Sequence, residues 1–402
     1  MIGIKNKDLC CGCSACHQIC PKTCIDMVVD SEGFKYPSVD INNCVDCGLC
    51  EKVCPIINER APRLPNGVYA VVNKDKEIQR KSSSGGVFYE LAKDVLNDGG
   101  VVFGAVFDSD WNVVHKYVET EDKLHQLLTS KYVQSSIGST YSQAKNFLET
   151  GRKVMFVGTP CQIGGLHSFL RKEYKNLYTI DFLCHGVPSP LVWQRYLESE
   201  KAAYMAADLN SSVSSSLNAS PSIEEVSFRD KSESWEKYRF VLKIAKASAD
   251  GKKSTVLSFN HKENVYMKGF LNNLYLRPSC HNCKFKKFQS GSDITLADFW
   301  AIDVVRPKFW DSMGVSMLFE HSSSAILEDA RFKTIEVSFK DTLSNHGLLD
   351  KNPEHPHRKY FFDNFQDSCD VRLLIEKSLR PTLFEKMRNL CIRSINKIKK
   401  IF

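Results

Sequence analysis

The sequence predicts two successive parts, a short α+β segment that ends near residue 60 and a larger mixed α/β domain after it. The first part is indicated by a cysteine pattern that occurs twice, offset by 44 − 10 = 34 residues. The second is indicated by short apolar strands that alternate with helices of 3.6-residue periodicity, as in βαβ units. With 402 residues and 43% hydrophobic content, the chain can bury one large core or two medium ones.

The cysteine pattern is C-x2-C-x2-C-x3-C-P, and both copies are complete. This spacing is typical of bacterial ferredoxins with two 4Fe-4S clusters, in which the fourth cysteine of each run ligates the other cluster. The expected ligand sets are therefore Cys10, Cys13, Cys16 and Cys54 for one cluster and Cys44, Cys47, Cys50 and Cys20 for the second. Zinc is a weaker interpretation, because a zinc site requires neither the third cysteine nor the proline of each run. Cys11 and Cys24 are interpreted as neighbours, not as ligands.

After residue 60, a connector rich in proline and glycine leads into alternating strands and helices. The predicted strands are 68–72, 101–107, 113–118, 153–158, 177–183, 224–230, 238–246, 254–259 and 293–300. The predicted helices are 88 to about 99, 133–148, one that begins at Thr159-Pro160, and 263–276. This order predicts a mixed or parallel sheet with helices packed on it.

Shifts in composition indicate where the chain divides. We expect domains at 1–60 and 61–330 and a helical C-terminal region at 331–402, with a flexible serine- and alanine-rich insertion at 206–222. Residues 385–402 place apolar side chains on one helical face among basic ones. Such a helix can contact a membrane surface or a partner peripherally, but docking on its own domain is the more common outcome.

Composition also bounds the compartment and the partners. We expect no transmembrane segment and a cytoplasmic location, because the sequence shows no signal-like start and no stretch of about eighteen uncharged apolar residues. Sixteen cysteines, most of them in metal-ligand spacing, require a reducing compartment. The formal net charge of +7 counts every cysteine as neutral. Three 4Fe-4S sites at about −2 each, the third of which is argued in the next paragraph, would reduce it to about +1, so no nucleic-acid partner is expected.

Four further cysteines form a possible ligand set in the larger domain. They stand in GTPCQIGGL, DFLCHGVPSP and SCHNCKF, and they are Cys161, Cys184, Cys280 and Cys283. The first would lie in the first turn of a helix and the second at the end of a strand, where sheet topology brings loops together. We expect a third 4Fe-4S cluster here. Zinc and a set of buried, inert thiols are the alternatives.

Two shorter motifs are ambiguous when taken singly. The serines and glycines of Ser82–Gly86 could cradle an anion at a helix N-terminus or simply cap the helix. Lys131-Tyr132 could place a cation and a ring beside a flavin or could be a surface pair. Neither a G-x-G-x-x-G after a strand nor a P-loop motif occurs, so a Rossmann-type nicotinamide domain and a P-loop are unsupported.

Together these motifs resemble the beta-subunit family of coenzyme F(420) hydrogenases and dehydrogenases, which also includes a plant hydroxymethyl-chlorophyll reductase and a cyanobacterial vinyl reductase. The resemblance spans most of residues 1–310, with its motifs in family order. Besides the ferredoxin repeat they are 82–86, 131–135, 158–164, 184–190, 280–283 and 293–300. One departure is Ala297-Asp-Phe-Trp-Ala301, where the family often reads GDFWG, and two added methyl groups there would reshape the substrate face.

The resemblance implies an FAD-binding α/β domain that exchanges hydride with an organic substrate and single electrons with iron-sulfur clusters. By match to the family motifs, the residues around FAD would be Ser83, Ser84, Gly85, Gly86, Lys131 and Tyr132. The same cavity would be lined by Thr159, Pro160, Gln162, His185 and Asp298. Of these, Lys131, His185 and Asp298 are the candidate catalytic residues. The implied partners are an electron-donating or electron-accepting protein such as a ferredoxin, and a small-molecule hydride donor or acceptor such as coenzyme F(420).

The sequence thus predicts an iron-sulfur flavoprotein oxidoreductase, because flavin handles both hydrides and single electrons whereas a 4Fe-4S cluster carries one electron at a time. Two alternatives stay open. One is an electron-transfer module that binds clusters but no flavin, and the other is a cluster-stabilised scaffold without redox turnover. The sequence names neither the substrate nor the direction of electron flow.

Overall fold

A computed structural model of the protein describes residues 1–4, 6–209, 220–248, 251–322, 329–343 and 350–381. Within these ranges the strands are β1 (Ile25–Val29), β2 (Lys35–Val39), β3 (Gly67–Asn73), β4 (Val101–Phe107), β5 (Val113–Val118), β6 (Val154–Val157), β7 (Leu177–Phe182), β8 (Ser222–Asp230), β9 (Arg239–Ser248), β10 (Gly251–Asn260), β11 (Ile294–Asp298), β12 (Ser316–Glu320) and β13 (Phe332–Glu336). The α-helices are α1 (Ala15–Ile19), α2 (Leu49–Lys52), α3 (Lys76–Lys81), α4 (Val87–Asn97), α5 (Thr140–Glu149), α6 (Pro160–Leu170), α7 (Pro190–Leu209), α8 (Val265–Leu271), α9 (Pro278–His281), α10 (Ile302–Val305), α11 (Arg358–Asp363) and α12 (Val371–Leu379). None of the helices in the described ranges combines the length and the apolar character needed to cross a membrane.

The two cysteine runs fold into matching loops. Left-handed backbone conformations occur at Gly12 and Ser14 in the first run and, 34 residues later, at Asp46 and Gly48 in the second. The second residue of each pair caps a short helix, α1 or α2, which carries the third cysteine of its run. Because positive φ angles coil the chain tightly, the repeat in the sequence is also a repeat in backbone geometry.

The larger part is built on an eight-stranded mixed sheet of order β13-β3-β12-β11-β7-β6-β4-β5. Its four central strands, β11, β7, β6 and β4, run parallel. Side chains alternate along β4, so that Val101 and Phe103 pack with α5 and α6 while Val102 and Val106 pack with α4 on the other face. The predicted mixed α/β architecture is confirmed. In such a doubly covered sheet, ligands bind at the carboxyl ends of the parallel strands.

A second sheet, of order β10-β9-β8, stands beside the first. Together with α7, α8, α11 and α12 it encloses a core dominated by aromatic rings. The largest of these rings belong to Trp193, Tyr196, Phe228, Phe240, Tyr266 and Tyr275. Large buried rings fix the position of β8 strongly. Two charged residues described below, Arg229 in this strand and Lys231 just after it, are thereby placed beside the main sheet.

Two predicted helices are shorter than expected. The helix predicted over 133–148 is confined to α5, because Ser136 bridges Val114 in parallel and the segment runs beside β5 until Gly138, at φ 56°, turns it. The helix predicted over 263–276 is confined to α8. Asn273, at φ 62°, ends that turn, and Leu276 then bridges Pro188. Backbone pairing, with β5 at the first place and with the segment before α7 at the second, has overridden helical periodicity.

The C-terminal boundaries of the predicted domains stay predictions. β13 pairs with β3 in the main sheet, so the segment just after residue 330 begins as part of that sheet. α7 continues to Leu209 and β8 begins at Ser222, so both ends of the predicted insertion 206–222 lie in regular structure. Residues 210–219 and the predicted basic helix 385–402 lie outside the described residues.

Candidate functional site

The second predicted ligand set shares one cavity. A space of about 350 Å³ is lined by Cys20, Cys44, Cys47 and Cys50, and Cys24 lines it too. The Ile2 N–H donates to Cys50 Sγ at 3.3 Å, and Cys20 Sγ lies 3.4 Å from Cys24 Sγ. The structure thus brings the fourth cysteine of the first run to the three leading cysteines of the second, as a crossed ligand set requires.

The first predicted set lies where the ferredoxin segment meets the larger domain. Cys13 is buried in one core with α5 and α6, and a Cβ atom on Gly165 of α6 would come within 2.7 Å of its Cβ. Burial, followed by the charges of Cys10 and Cys54, raises the pKa of Cys16 to about 12. Cys10, Cys16 and Cys54 are therefore close neighbours, and Cys13 lies directly against the larger domain.

The four cysteines of the larger domain line a second cavity, of about 770 Å³, and Cys11 of the ferredoxin segment lines it too. Cys161 lies in the first turn of α6, and Cys184 follows the end of β7. The Val187 N–H donates to Cys280 Sγ at 3.4 Å, and Thr159 Oγ1 lies 3.1 Å from Cys161 Sγ. The predicted positions at the carboxyl edge of the sheet are thus observed, together with one additional thiol that the cysteine spacing does not mark.

The environment of this cavity disfavours free thiolates. The contact with Cys11, and then burial, raises the pKa of Cys161, whereas burial is the main cause of the raised pKa of Cys184 and of Cys280, the latter to about 12. Within the described ranges, no three His, Cys, Asp or Glu side chains stand close enough to hold a single metal ion. Thiols of this kind become ligands when a bound metal centre stabilises their anionic form.

A buried polar network lies at the same edge of the sheet, beside Cys161. Gln162 caps α6 by accepting from the Thr159 N–H at 2.9 Å, and it donates to Ser135 Oγ at 2.8 Å. The same hydroxyl contacts His115 Nδ1 at 2.9 Å. Burial, countered in part by a hydrogen bond to Val157, lowers the pKa of His115 to about 4, so the imidazole is neutral at neutral pH.

The Ser82–Gly86 turn and the Lys131 loop are in direct contact. The Ser130 N–H donates to Ser83 Oγ at 2.8 Å, and the two hydroxyl oxygens are 3.0 Å apart. Ser84 Oγ donates to the Val315 carbonyl. Gly86, at φ 88°, begins α4, and no side chain caps that helix. The turn therefore presents the open N-terminus of an eleven-residue helix near Lys131.

The ammonium group of Lys131 lies in surroundings that would favour binding of an anion. Its Nζ donates to the Leu128 carbonyl at 2.9 Å and lies 5.9 Å from the centre of the Phe107 ring. None of the carboxylates in the described part of the chain forms an ion pair with it. Burial lowers its pKa to about 7. A bound phosphate or flavin anion would restore the charged form.

Asp298 does not stand free. It forms an ion pair with the buried Arg229 at 2.5 Å and accepts from Trp235 Nε1 at 2.9 Å. Trp235 stacks on Trp300 with 4.6 Å between ring centres, and Trp300 is 41% exposed. Asp298 therefore holds an aromatic pair at the rim of the sheet, in addition to any role in proton transfer.

Lys231 lies between Asp298 with its partners and the Ser82–Gly86 turn. Its buried Nζ donates to the carbonyl oxygens of Gln79, Ser84 and Met313. Burial and the nearby Arg229 lower its pKa to about 7. Ser84 and Asp298, which are far apart in the sequence, thus belong to one connected neighbourhood.

The remaining candidate residues lie between the polar network and the cysteine cavity. Tyr132 stacks on Phe270 at 4.7 Å, and Phe270 in turn contacts the His185 ring edge-on at 5.0 Å. Burial lowers the pKa of His185. His185 and Pro160 line the cysteine cavity, whereas the residues around Lys131 and Asp298 lie in the neighbouring network and not on its walls. The candidate residues expected in one cavity around FAD thus lie in two adjacent regions, the cysteine cavity and the network around Lys131 and Asp298.

Several site residues had no signal in the sequence. Arg229 and Lys231 stand in Phe-Arg-Asp-Lys at the end of β8, where alternating charge usually indicates a solvent-exposed strand. His115 occupies an edge strand, and Arg277 precedes the C-x2-C pair by three residues. A cation next to a metal-ligand motif is a weak clue, and only tertiary packing reveals that these side chains are buried.

Comparison with known proteins matches both parts of this description. Residues 9–56 match the 4Fe-4S dicluster domain, and residues 151–335 match the family described as the C terminus of the coenzyme F(420) hydrogenase/dehydrogenase beta subunit. The resemblance noted from the sequence is confirmed over these residues. The chain is an iron-sulfur redox protein that is similar to this beta-subunit family over residues 151–335 and has an N-terminal dicluster domain.

Individual relatives match only in part. The coenzyme F(420)-dependent sulfite reductase of Methanocaldococcus jannaschii is 26% identical over 208 residues, which cover 48% of this chain and 30% of that protein. A ferredoxin 7Fe of Hydrogenibacillus schlegelii is 40% identical over 43 residues, 11% of this chain and 49% of that protein. The chain therefore aligns with half or less of the length of these relatives. One chain in the solved F(420)-reducing [NiFe] hydrogenase complex from Methanosarcina barkeri aligns with 83% of this chain and 94% of its own length, at 16% identity and a TM-score of 0.42.

Proposed function

We propose that the protein couples one-electron transfer through three 4Fe-4S clusters to hydride transfer between FAD and an organic substrate, with coenzyme F(420) as one candidate. The observation that carries this proposal is the cavity lined by Cys11 and by four cysteines of the larger domain. Four thiols match the ligand count of a third cluster, and the fifth belongs to the loop of the first. The cavity therefore supports a continuous electron route between the two parts of the chain.

The proposed route has an exposed end and a buried end. Cys47 is exposed, so the cluster of the second run would exchange electrons with a ferredoxin-like protein partner. Cys10 belongs to the first ligand set, and the next residue, Cys11, lines the cavity of the proposed third cluster. Consecutive residues thus connect the first and third sites. We place the protein in a reducing, cytoplasmic environment because cluster ligation needs the cysteines as thiolates and not as disulfides.

FAD, when bound, supplies hydride exchange with organic molecules and single-electron exchange with clusters. On the protein side, Lys131 would hold an anionic part of the cofactor, and the uncapped start of α4 at Gly86 would supply backbone donors. Tyr132 would offer an aromatic face. The Arg229–Asp298 pair would orient Trp300 at the exposed rim, where a planar substrate ring could stack. His185, neutral through burial, would accept or hold a proton beside the cavity.

The test is the iron and flavin content of protein purified without oxygen. We expect about twelve iron atoms and one FAD per chain, because each of three sites holds four irons. Cys161→Ser should lose about four irons and all flavin-linked turnover while keeping the first two clusters. Cys369→Ser is the matched control, since Cys369 is exposed and lies in none of the ligand sets. Full activity of Cys161→Ser would contradict the proposal.

One observation favours the alternative of an electron-transfer module without flavin. The hydroxyl groups of Ser83 and Ser84 are already engaged, the first with Ser130 and the second with the Val315 carbonyl. In that case they stabilise the turn and need no cofactor. About eight to twelve irons with no retained FAD, and no spectral change on adding FAD, would support this alternative.

A further inference from the structure

Arg277 is a buried arginine at the junction of the two parts of the chain. Only 1% of it is exposed. Its Nε donates to the Cys10 carbonyl at 2.7 Å, one terminal nitrogen donates to the Lys35 carbonyl at 2.9 Å, and the other to Gln134 Oε1 at 3.0 Å. One residue of the larger domain thus binds the backbone of the first cysteine loop and of β2.

The close approach is built into the loop. A Cβ atom on Gly12, at φ 71°, would lie 2.8 Å from the Arg277 guanidinium. The guanidinium also lies over two rings of the ferredoxin segment, 5.4 Å from the centre of Phe34 and 4.3 Å from that of Tyr36. A residue with a side chain at position 12 would have to displace the arginine. The guanidinium of Arg277 therefore fits against the Gly12 backbone only because position 12 has no side chain.

The charge of Arg277 has no carboxylate partner in the described ranges, where its polar contacts go to carbonyl, amide and sulfur atoms. A buried, unpaired guanidinium is costly unless an anion compensates it. Two possible anions are adjacent. Arg277 Nη2 lies 3.7 Å from Cys10 Sγ, and Arg277 lines the cavity of Cys161 and Cys280.

We propose that Arg277 is a positioning residue shared by two iron-sulfur sites, which docks the first ferredoxin loop and raises the reduction potentials of the first and third clusters. The inference rests on the clusters of the proposed function. An added electron makes a cluster more negative, so a nearby fixed positive charge stabilises the reduced form more than the oxidised form. The hydrogen bond to Cys10 Sγ adds to this effect at the first cluster. The second cluster, bound by the cysteines around Cys47, lies outside these contacts.

The test is a redox titration followed by electron paramagnetic resonance, on full-length protein with its clusters loaded. Arg277→Met removes the charge and keeps an apolar side chain of similar length. At a fixed potential, the ratio of reduced to oxidised first cluster should fall about tenfold, which corresponds to about 59 mV for a one-electron couple. The third cluster should shift in the same direction by less, and the second cluster should not shift. Arg277→Lys keeps the charge but loses the planar fork, so its first-cluster potential should lie between those of wild type and Arg277→Met.

Arg358 supplies a matched control at the same junction. It is buried, pairs with Glu32 of the ferredoxin segment and donates to the Leu276 carbonyl, next to Arg277. Arg358→Met should therefore weaken docking without changing any cluster potential. If Arg277→Met does not load its clusters, the first-cluster potential of Arg277→Lys is the measurement that tests the inference. Unchanged first-cluster potential in the loaded Arg277 variants, or an equal shift in Arg358→Met, would overturn the inference while leaving the proposed function intact. Absence of clusters from wild-type protein would instead overturn the proposed function.

Discussion

The two parts of this protein encode their chemistry in different ways. In the ferredoxin segment the chemistry is local, because eight cysteines within 45 consecutive residues, 10 to 54, define two sites by spacing alone. In the larger domain the chemistry is assembled from distant segments. The four cysteines of its cavity span residues 161 to 283, and Lys231 and Arg229 connect Ser84 with Asp298, which is more than 200 residues away in the sequence.

The two parts should differ in how amino-acid substitutions affect cluster binding and folding. A local motif needs only a loop of the right curvature, supplied here by left-handed residues at equivalent positions, such as Gly12 and Asp46. A dispersed site depends on the whole sheet, because β6, β7 and β11 must align for their carboxyl ends to meet. Substitutions in the first part should therefore remove single clusters, whereas those in the second should also affect folding.

The largest expected effect tests the crossed ligand sets of the ferredoxin segment. Cys20→Ala should lose about four irons and remove the same paramagnetic signal that Cys47→Ala removes, because Cys20 shares a cavity with the cysteines of the second run. Iron analysis and spectra of the reduced proteins would measure this. If the sets did not cross, Cys20→Ala would instead match Cys13→Ala.

The control for this substitution is Cys24, whose sulfur lies 3.4 Å from that of Cys20. Cys24→Ala should keep all the iron, since Cys24 is outside the repeated pattern. Iron loss in Cys24→Ala with full iron in Cys20→Ala would show that Cys24, and not Cys20, is the ligand.

The second effect concerns the dispersed site of the larger domain. Asp298→Ala leaves the buried guanidinium of Arg229 without its carboxylate, and breaking such a pair from one side costs about 3–5 kcal/mol. Urea unfolding should show this loss. Asp303→Ala, five residues later and exposed, should change the free energy of unfolding by less than about 0.5 kcal/mol.

A paired substitution separates the lost ion pair from lost packing. Arg229→Met combined with Asp298→Ala removes both charges, so part of the stability should return relative to Asp298→Ala alone. No recovery in the double variant would indicate that Asp298 stabilises the fold through Trp235 and not through Arg229.

Much of this organisation was readable from the sequence. The ferredoxin repeat, the alternation of strands and helices, and the family motifs predicted the dicluster domain and the mixed sheet, because spacing and periodicity are local properties. The helix predicted over 133–148 failed in its first half. Apolar residues at helical spacing were present there, but Ser136 pairs with β5, and no local pattern reports a partner strand.

Charged residues in buried positions could not be predicted in this way. Arg229 and Arg277 are 4% and 1% exposed, although the expectation for arginine is a surface position. Their burial depends on partners remote in sequence, Asp298 for the first and the Cys10 loop for the second. Such pairings are fixed by tertiary structure, so a single sequence gives the residue types at the site but not which of them meet.

The smallest expected effect tests the contact between the two parts directly. Gly165 lies in α6 with Cys13 and the Tyr141 hydroxyl packed against it, and a Cβ atom there would meet these groups at 2.7 and 2.8 Å. Gly165→Ala gains about 1 kcal/mol of helix propensity but overpacks the junction by about 1–3 kcal/mol. The net loss of stability should therefore be about 0–2 kcal/mol, with the first cluster altered more than the second. Ser168→Ala, in the same helix, is the control and should leave the spectra unchanged. An equal spectral change at both clusters would contradict the expectation that α6 lies against the first cluster and not the second, and the contrast between a local and an assembled site would weaken accordingly.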